Sequence, residues 1–141
     1  MQAALERSLN LPSPVSVSAS SISDRTAGAV TIVDVKGPLT RAFAVEAFQR
    51  RLQELLLEGA NKLAINLEDV RDIDSSGVGA LAAAYKWLEQ TGGHVKLFAP
   101  SSRVKRTLQR MRFDTVFQIL EDERAALQAF DGDQELRSLS G

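Results

Sequence analysis

The stretch "RDIDSSGVGALAAAYKWL", Arg71 to Leu88, decides how this chain is read. Just before it, "LAINLEDV" sets Leu63, Ile65 and Leu67 at alternate positions, the period of a strand with a buried face. Just after the turn, Val78, Leu81, Tyr85 and Leu88 recur at spacings of three and four, a helical stripe, and Gly92 and Gly93 end it. An acid, two serines and two glycines therefore sit where a strand hands over to a helix. Asp74, Ser75 and Ser76 are all residue types that cap a helix, whose first amides have no intrahelical partner. Asp72 and Asp74 also lie where the helix dipole favours acid. The turn is either a well-made cap or a chemical site built on one.

Outward from the turn, helices and strands alternate. Residues 1–14 read as a flexible N-terminal tail closed by prolines. "VSVSASSIS" alternates Val15, Val17 and Ala19 with serines, a weak strand whose alternative is disorder. "DRTAG" supplies turn chemistry and "AVTIVDVKG" a stronger strand, so the two strands predict a hairpin. In "GPLTRAFAVEAFQRRLQELLLEGA", Thr40 is the expected N-cap, Val45, Phe48, Leu52 and Leu55 the core stripe, and Gly59 the stop. "HVKLFAP" predicts a short strand. "SSRVKRTLQRMR" predicts a helix capped by Ser101 or Ser102, with Val104, Leu108 and Met111 buried. "TVFQIL" predicts a strand and "EDERAALQAF" a last helix, before a flexible C-terminal tail over residues 131–141. This order predicts one α/β domain over residues 15–130, with a mixed sheet and crossover helices.

Composition narrows the chemistry. The chain has 141 residues, 44% hydrophobic and 25% charged, which suits one soluble domain. Its net charge of -1 argues against nucleic-acid binding by charge alone. With no cysteine, there is no disulfide scaffold, thiolate zinc site or cysteine nucleophile. The single histidine, His94, leaves too few ligands for a typical zinc site. No apolar run approaches the roughly 20 residues of a membrane helix, and the N-terminus is a poor signal peptide. A cytoplasmic protein without a cofactor or metal is expected.

A serine at a helix start can carry a phosphate in positive potential, and that phosphate, with about -1.5 to -2 charges, would repel a partner packed over the turn. Asp72 and Asp74 would add to the repulsion. A nucleophile elbow needs Gly-x-Ser-x-Gly, but Ile73 or Asp74 stands where its first glycine belongs. His94, the only available base, is expected at the other end of the sheet. No phosphate-binding glycine motif is present either.

The run "LAINLEDVRDIDSSGVGALAAAYKWLEQTGGHVKLFAPSSRVKRTLQRMRFDTVFQI", with the "VDVKGPLT" turn, resembles a STAS domain, and more narrowly the bacterial anti-sigma factor antagonists. The resemblance spans Val15 to Phe130, and its most specific part is "NLEDVRDIDSSGVGAL". It implies a mixed four- to five-stranded sheet with helices packed mainly on one side. It also implies a binding protein rather than an enzyme. The partner would be an anti-sigma factor with serine kinase activity, whose capture frees a sigma factor. Phosphorylation would break the complex, and a PP2C-type phosphatase would restore it. Carried onto this chain, the phosphoacceptor is Ser75, with Ser76 the second choice. Asp74 shapes the site, and Gly77 lets backbone come close. The implied partner surface comprises Asp74, Ser75, Ser76, Gly77 and Val78, with Thr40 in the "GPLT" loop and Lys86. No direct nucleic-acid contact or membrane insertion is implied, and a homodimer is an option. Relatives with the same turn serve in stressosome scaffolds and in lipid or anion transport complexes, so a constitutive subunit is the alternative.

Three features lie outside that reading. The basic residues of "SSRVKRTLQRMR" read as a solvated outer face, diluted by Glu121, Asp122 and Glu123. Trp87 falls off the helical stripe, so it is either a partner contact or an edge-of-core residue. His94 reads as a surface residue without assigned role.

Overall fold

The computed structural model describes residues 21–41 and 44–140, with side-chain environments through residue 133. The first elements are β1 (Ser21–Ala27) and β2 (Val30–Lys36). Next come α1 (Val45–Leu57), β3 (Lys62–Asp69), α2 (Ser75–Gln90) and β4 (His94–Phe98). The chain ends with α3 (Ser102–Arg110), a 3-10 turn at Phe113–Thr115, β5 (Gln118–Leu120) and α4 (Glu123–Ser140). The five strands form one sheet in the order β1-β2-β3-β4-β5. β1 is antiparallel to β2, and the remaining pairs are parallel. Each parallel pair is joined across a helix, as the alternating pattern requires.

The two sheet faces are covered unequally. Val33, Val35, Leu63, Ile65, Leu67, Val95 and Leu97 face α1, α2 and α3 and meet Phe48, Leu52, Leu81, Leu88, Val104 and Leu108. The other face, with Val30, Ile32, Ala64 and Phe98, receives Ala126 and Phe130 of α4. Three helices on one face and one on the other match the α/β expectation of helices mainly on one side. β3 and β4 are apolar on the face covered by α1, α2 and α3, whereas their other face combines Ala64 and Phe98 with Asn66 and the buried Lys96.

The hairpin forms, but its turn lies later than the sequence suggests. β1 runs through "DRTA", and Gly28 and Ala29 make the turn, with Gly28 at φ 63. That is the positive φ a two-residue hairpin loop needs at its first central position. Asp24 and Arg25 resemble turn residues yet are paired strand side chains. Asp24 accepts from Arg51 Nε at 2.8 Å on α1. Arg25 forks between Asp34 at 2.8 Å and Glu123 at 2.7 Å. The part of the expected first strand before Ser21 lies outside the described residues, as does the N-terminal tail.

Four further expectations are corrected. Thr40 does not cap α1, which begins at Val45 after Ala44 and has no side-chain cap, because the "GPLT" segment is held instead against the serine turn. Gly59 does end α1: at φ 100 it lets Gly59 N donate to Leu56 O at 3.1 Å and Ala60 N to Leu55 O at 3.0 Å, a Schellman closure. Met111 is 37% exposed, since α3 stops at Arg110 and the next residues turn away. The predicted "TVFQIL" strand keeps only Gln118–Leu120, because the preceding residues form the 3-10 turn and the loop after it. Finally, α4 continues past Phe130 to Ser140, through the segment expected to be a tail. Lys96 Nζ donates to Asp133 Oδ2 at 2.7 Å and lies 4.9 Å from the Phe130 ring centroid. These contacts fasten the helix across Gly132.

Candidate functional site

The "GPLT" segment and the "RDIDSSG" turn are zipped together beyond the ends of β2 and β3. Gly37 N donates to Asp69 O at 2.9 Å, and Leu39 N donates to Asp72 O at 2.9 Å. Leu39 and Ile73 form an isolated parallel bridge, and Arg41 N donates to Asp74 Oδ2 at 2.9 Å. Parallel pairing thus continues into two loops. Leu39 and Ile73, both buried, anchor them into the core. Gly77 makes the approach possible. A methyl group there would fall inside the van der Waals envelope of the Leu39 carbonyl oxygen and lie 2.7 Å from Ile73 Cγ1.

Asp74 is the N-cap of α2. Its backbone is extended, and its Oδ1 accepts from Gly77 N at 3.0 Å. Burial alone would raise the Asp74 carboxyl, but backbone N–H groups of Arg41, Gly77 and Ser76 outweigh it, and the group lies below the ordinary aspartate value. The carboxylate therefore already occupies amides that a phosphate would otherwise find. Asp72 Oδ1 accepts from Ile73 N at 3.0 Å and pairs with Arg103 Nε of α3 at 3.4 Å.

Ser75 occupies the first position of α2 and is exposed, and Ser76 is half-buried. Half-buried Thr40 lies in the zipped segment, adjacent in sequence to Arg41. These residues with Asp74 form one surface. One expected partner contact falls out of it. Val78 is fully buried, because it starts the core stripe of α2, and presents no side chain to a partner. Gly77 is buried too and acts through its backbone. Lys86 is exposed but stands eleven residues along α2 from Ser75, about 16 Å at helical rise. It lies farther along the same helix. Conversely, the Arg41 amide and the Arg103 guanidinium reach the turn from distant sequence, and no local spacing signals either.

His94 lies at the opposite end of the sheet. It pairs in register with Lys62 at the start of β3, whereas the serine turn follows Asp69 at its end. The eight-residue strand separates them by roughly 20 Å or more, so no serine–histidine dyad forms. Among the described residues, no acidic or histidine cluster is placed to hold a metal, and no helix is long and apolar enough to cross a membrane.

Comparison with known proteins shows the same fold. A Thermotoga neapolitana protein provisionally named an anti-sigma factor antagonist is 33% identical over 79 residues, covering 56% of this chain and 70% of that protein. The crystal structure of a Thermotoga maritima protein with the same provisional name superposes with a TM-score of 0.73 at 25% identity, covering 77% of this chain and 92% of the other. The anti-sigma factor antagonist SpoIIAA, solved unphosphorylated, gives 0.70 at 23% identity over 79% and 97% of the two chains. Its phosphorylated form, from Bacillus, gives 0.63 at 21% over 78% and 99%. The STAS domain family model matches residues 21–126, from the first residue of β1 to the buried Ala126 of α4, and the chain belongs to the STAS domain family.

Proposed function

We propose that this chain is an anti-sigma factor antagonist: it binds an anti-sigma factor that is also a serine kinase, and phosphorylation of Ser75 ends the complex. It acts as a binding protein and kinase substrate rather than as an enzyme, and a PP2C-type phosphatase resets it. The supporting observation is the exposed Ser75 hydroxyl on a turn whose neighbouring amides are occupied by Asp74. A phosphate added there meets the Asp74 and Asp72 carboxylates rather than free amides, so it projects into solvent. The domain need not rearrange, yet its contact surface gains about -1.5 to -2 charges. The names of the Thermotoga relatives supply the partner class.

The test is intact-mass measurement of protein purified from its native host, with and without phosphatase, followed by peptide mapping. Phosphate on Ser75, removed by phosphatase and absent from Ser75→Ala, is the expected result. Ser75→Asp should lose the anti-sigma factor and Ser75→Ala should retain it. A Ser75→Ala protein still labelled in full by the kinase removes the assignment to Ser75. A protein unmodified under every growth condition supports a constitutive STAS subunit instead.

A further inference from the structure

At the ends of α1 and α2 remote from Ser75 lies a second surface. Leu57 is 88% exposed and Trp87 is 38% exposed. They border an open cavity of about 670 Å³ that also takes in Leu56 and Ala60. None of its nine lining residues is charged, although charged residues make up 25% of the chain. A charge-free patch containing tryptophan has the composition of an interface centre.

The patch carries both a projecting side chain, Leu57, and a groove to receive one. α1 and α2 run in the same direction, since each crosses between parallel neighbours of the sheet. A two-fold axis along the helices would lay α1 of one copy on α2 of the other. It would place Leu57 of each copy against Trp87 of the other. The charges at the rim are complementary in that arrangement: Glu58, 3.6 Å from Arg51 Nη1 within its own copy, follows Leu57, and Lys86 precedes Trp87. Lys86 makes no ion pair among the described residues. Each contact would occur twice by symmetry. The chain's own residues 1–20, which join the domain at Ser21, are the other candidate occupant, and deleting them separates the two.

We propose that the Leu57–Trp87 patch is a homodimer contact that leaves Ser75 exposed at the other end of the molecule. The cavity contributes nine residues a side, fewer than the roughly 20–30 of a standard interface, so the dimer is expected to be weak and to form only at high concentration.

Trp87 is the only tryptophan in the chain, so the emission comes from a side chain at the edge of the patch. Emission and sedimentation are followed from about 1 μM to about 1 mM, the range in which a weak dimer forms. The expected result is a blue shift and a rise towards twice the monomer mass, both concentration-dependent. Leu57→Gln should raise the dissociation constant at least about tenfold without altering far-UV dichroism, because the side chain lies outside the core. Glu58→Lys should weaken association, and adding Lys86→Glu should restore it. Unchanged emission with monomer mass up to the top concentration overturns the proposal, as does a dimer that persists in Leu57→Gln. Failure of the charge swap to restore association overturns the α1-on-α2 arrangement. A red shift on deleting residues 1–20 at every concentration shows that the chain's own N-terminal segment fills the groove instead.

Discussion

Replacing Gly77 by alanine tests the zipped turn directly. In an ordinary helix interior, Gly→Ala stabilises by about 1 kcal/mol. Here the added methyl overlaps the Leu39 carbonyl oxygen and sits 2.7 Å from Ile73 Cγ1. Neither neighbour is a flexible tip: one is backbone, and the other belongs to a side chain that is 4% exposed. The "GPLT" segment must move away, at an overpacking cost of about 1–3 kcal/mol. Loss of the Leu39 N to Asp72 O hydrogen bond adds about 1 kcal/mol. Set against the helix gain, the net is a loss of about 1–3 kcal/mol. For a chain of this length that lowers Tm by about 3–10 °C. Gly79→Ala is the internal control. It lies one half-turn along the same helix, exposed, with no atom within 4 Å of the added carbon. It should stabilise by about 0.5–1 kcal/mol. Both variants are compared by urea and thermal unfolding followed by circular dichroism. If Gly77→Ala matched Gly79→Ala in the sign of its effect, the close approach of the two loops would be refuted.

Asp74→Ala removes acceptors for Gly77 N and Arg41 N and should cost about 1–2 kcal/mol in urea unfolding; Asp74→Asn, which keeps an N-cap acceptor, should recover most of it. Asp133→Ala leaves the Lys96 ammonium, only 6% exposed, without its carboxylate, and should destabilise by about 1–3 kcal/mol. Lys96→Met should cost less, because Asp133, at 36% exposed, stays hydrated; equal losses would count against this asymmetry. Acid should weaken the fold. Arg51 lowers Asp24, Arg25 lowers Asp34 and Glu123, and backbone amides lower Asp74 against its burial. Folded values below the unfolded ones mean stability that is complete above about pH 4 and lost as pH falls through the folded values. Tm should therefore hold between pH 7 and 5 and fall below pH 4. Arg25→Gln should make that acid limb shallower, and an unchanged limb would mean the Arg25 fork contributes no pH dependence.

Much of this protein is legible without coordinates because its main signals are local. Alternation in "KLAINLED", the spacing of Phe48, Leu52 and Leu55, and Gly59 at the end of α1 each specify an element through neighbours within one or two turns. So does the cap at Asp74, though the sequence offered Ser75 and Ser76 as equal candidates. The structure decides in favour of Asp74 because its carboxylate reaches both Gly77 N and, across the chain, Arg41 N. Thr40 has a cap residue's chemistry but does not cap α1, because its segment is committed to the serine turn. Asp24 and Arg25 imitate a turn until Arg51, Asp34 and Glu123 arrive from other elements.

The division has a physical basis. Hydrogen-bond satisfaction within a helix and the burial period of a strand depend on near neighbours, so sequence alone determined the α/β order, the serine at a helix start and the absence of thiol chemistry. Partners more than thirty residues apart are brought together only when the sheet forms. Tertiary structure therefore decided that the Arg41 amide meets Asp74, that the "GPLT" segment lies on the serine turn, and that Asp24 and Arg25 are paired strand residues. It also decided that α4 runs on over the Lys96–Asp133 pair, a contact between residues 37 apart in sequence whose desolvated ammonium needs a carboxylate that no local pattern announces.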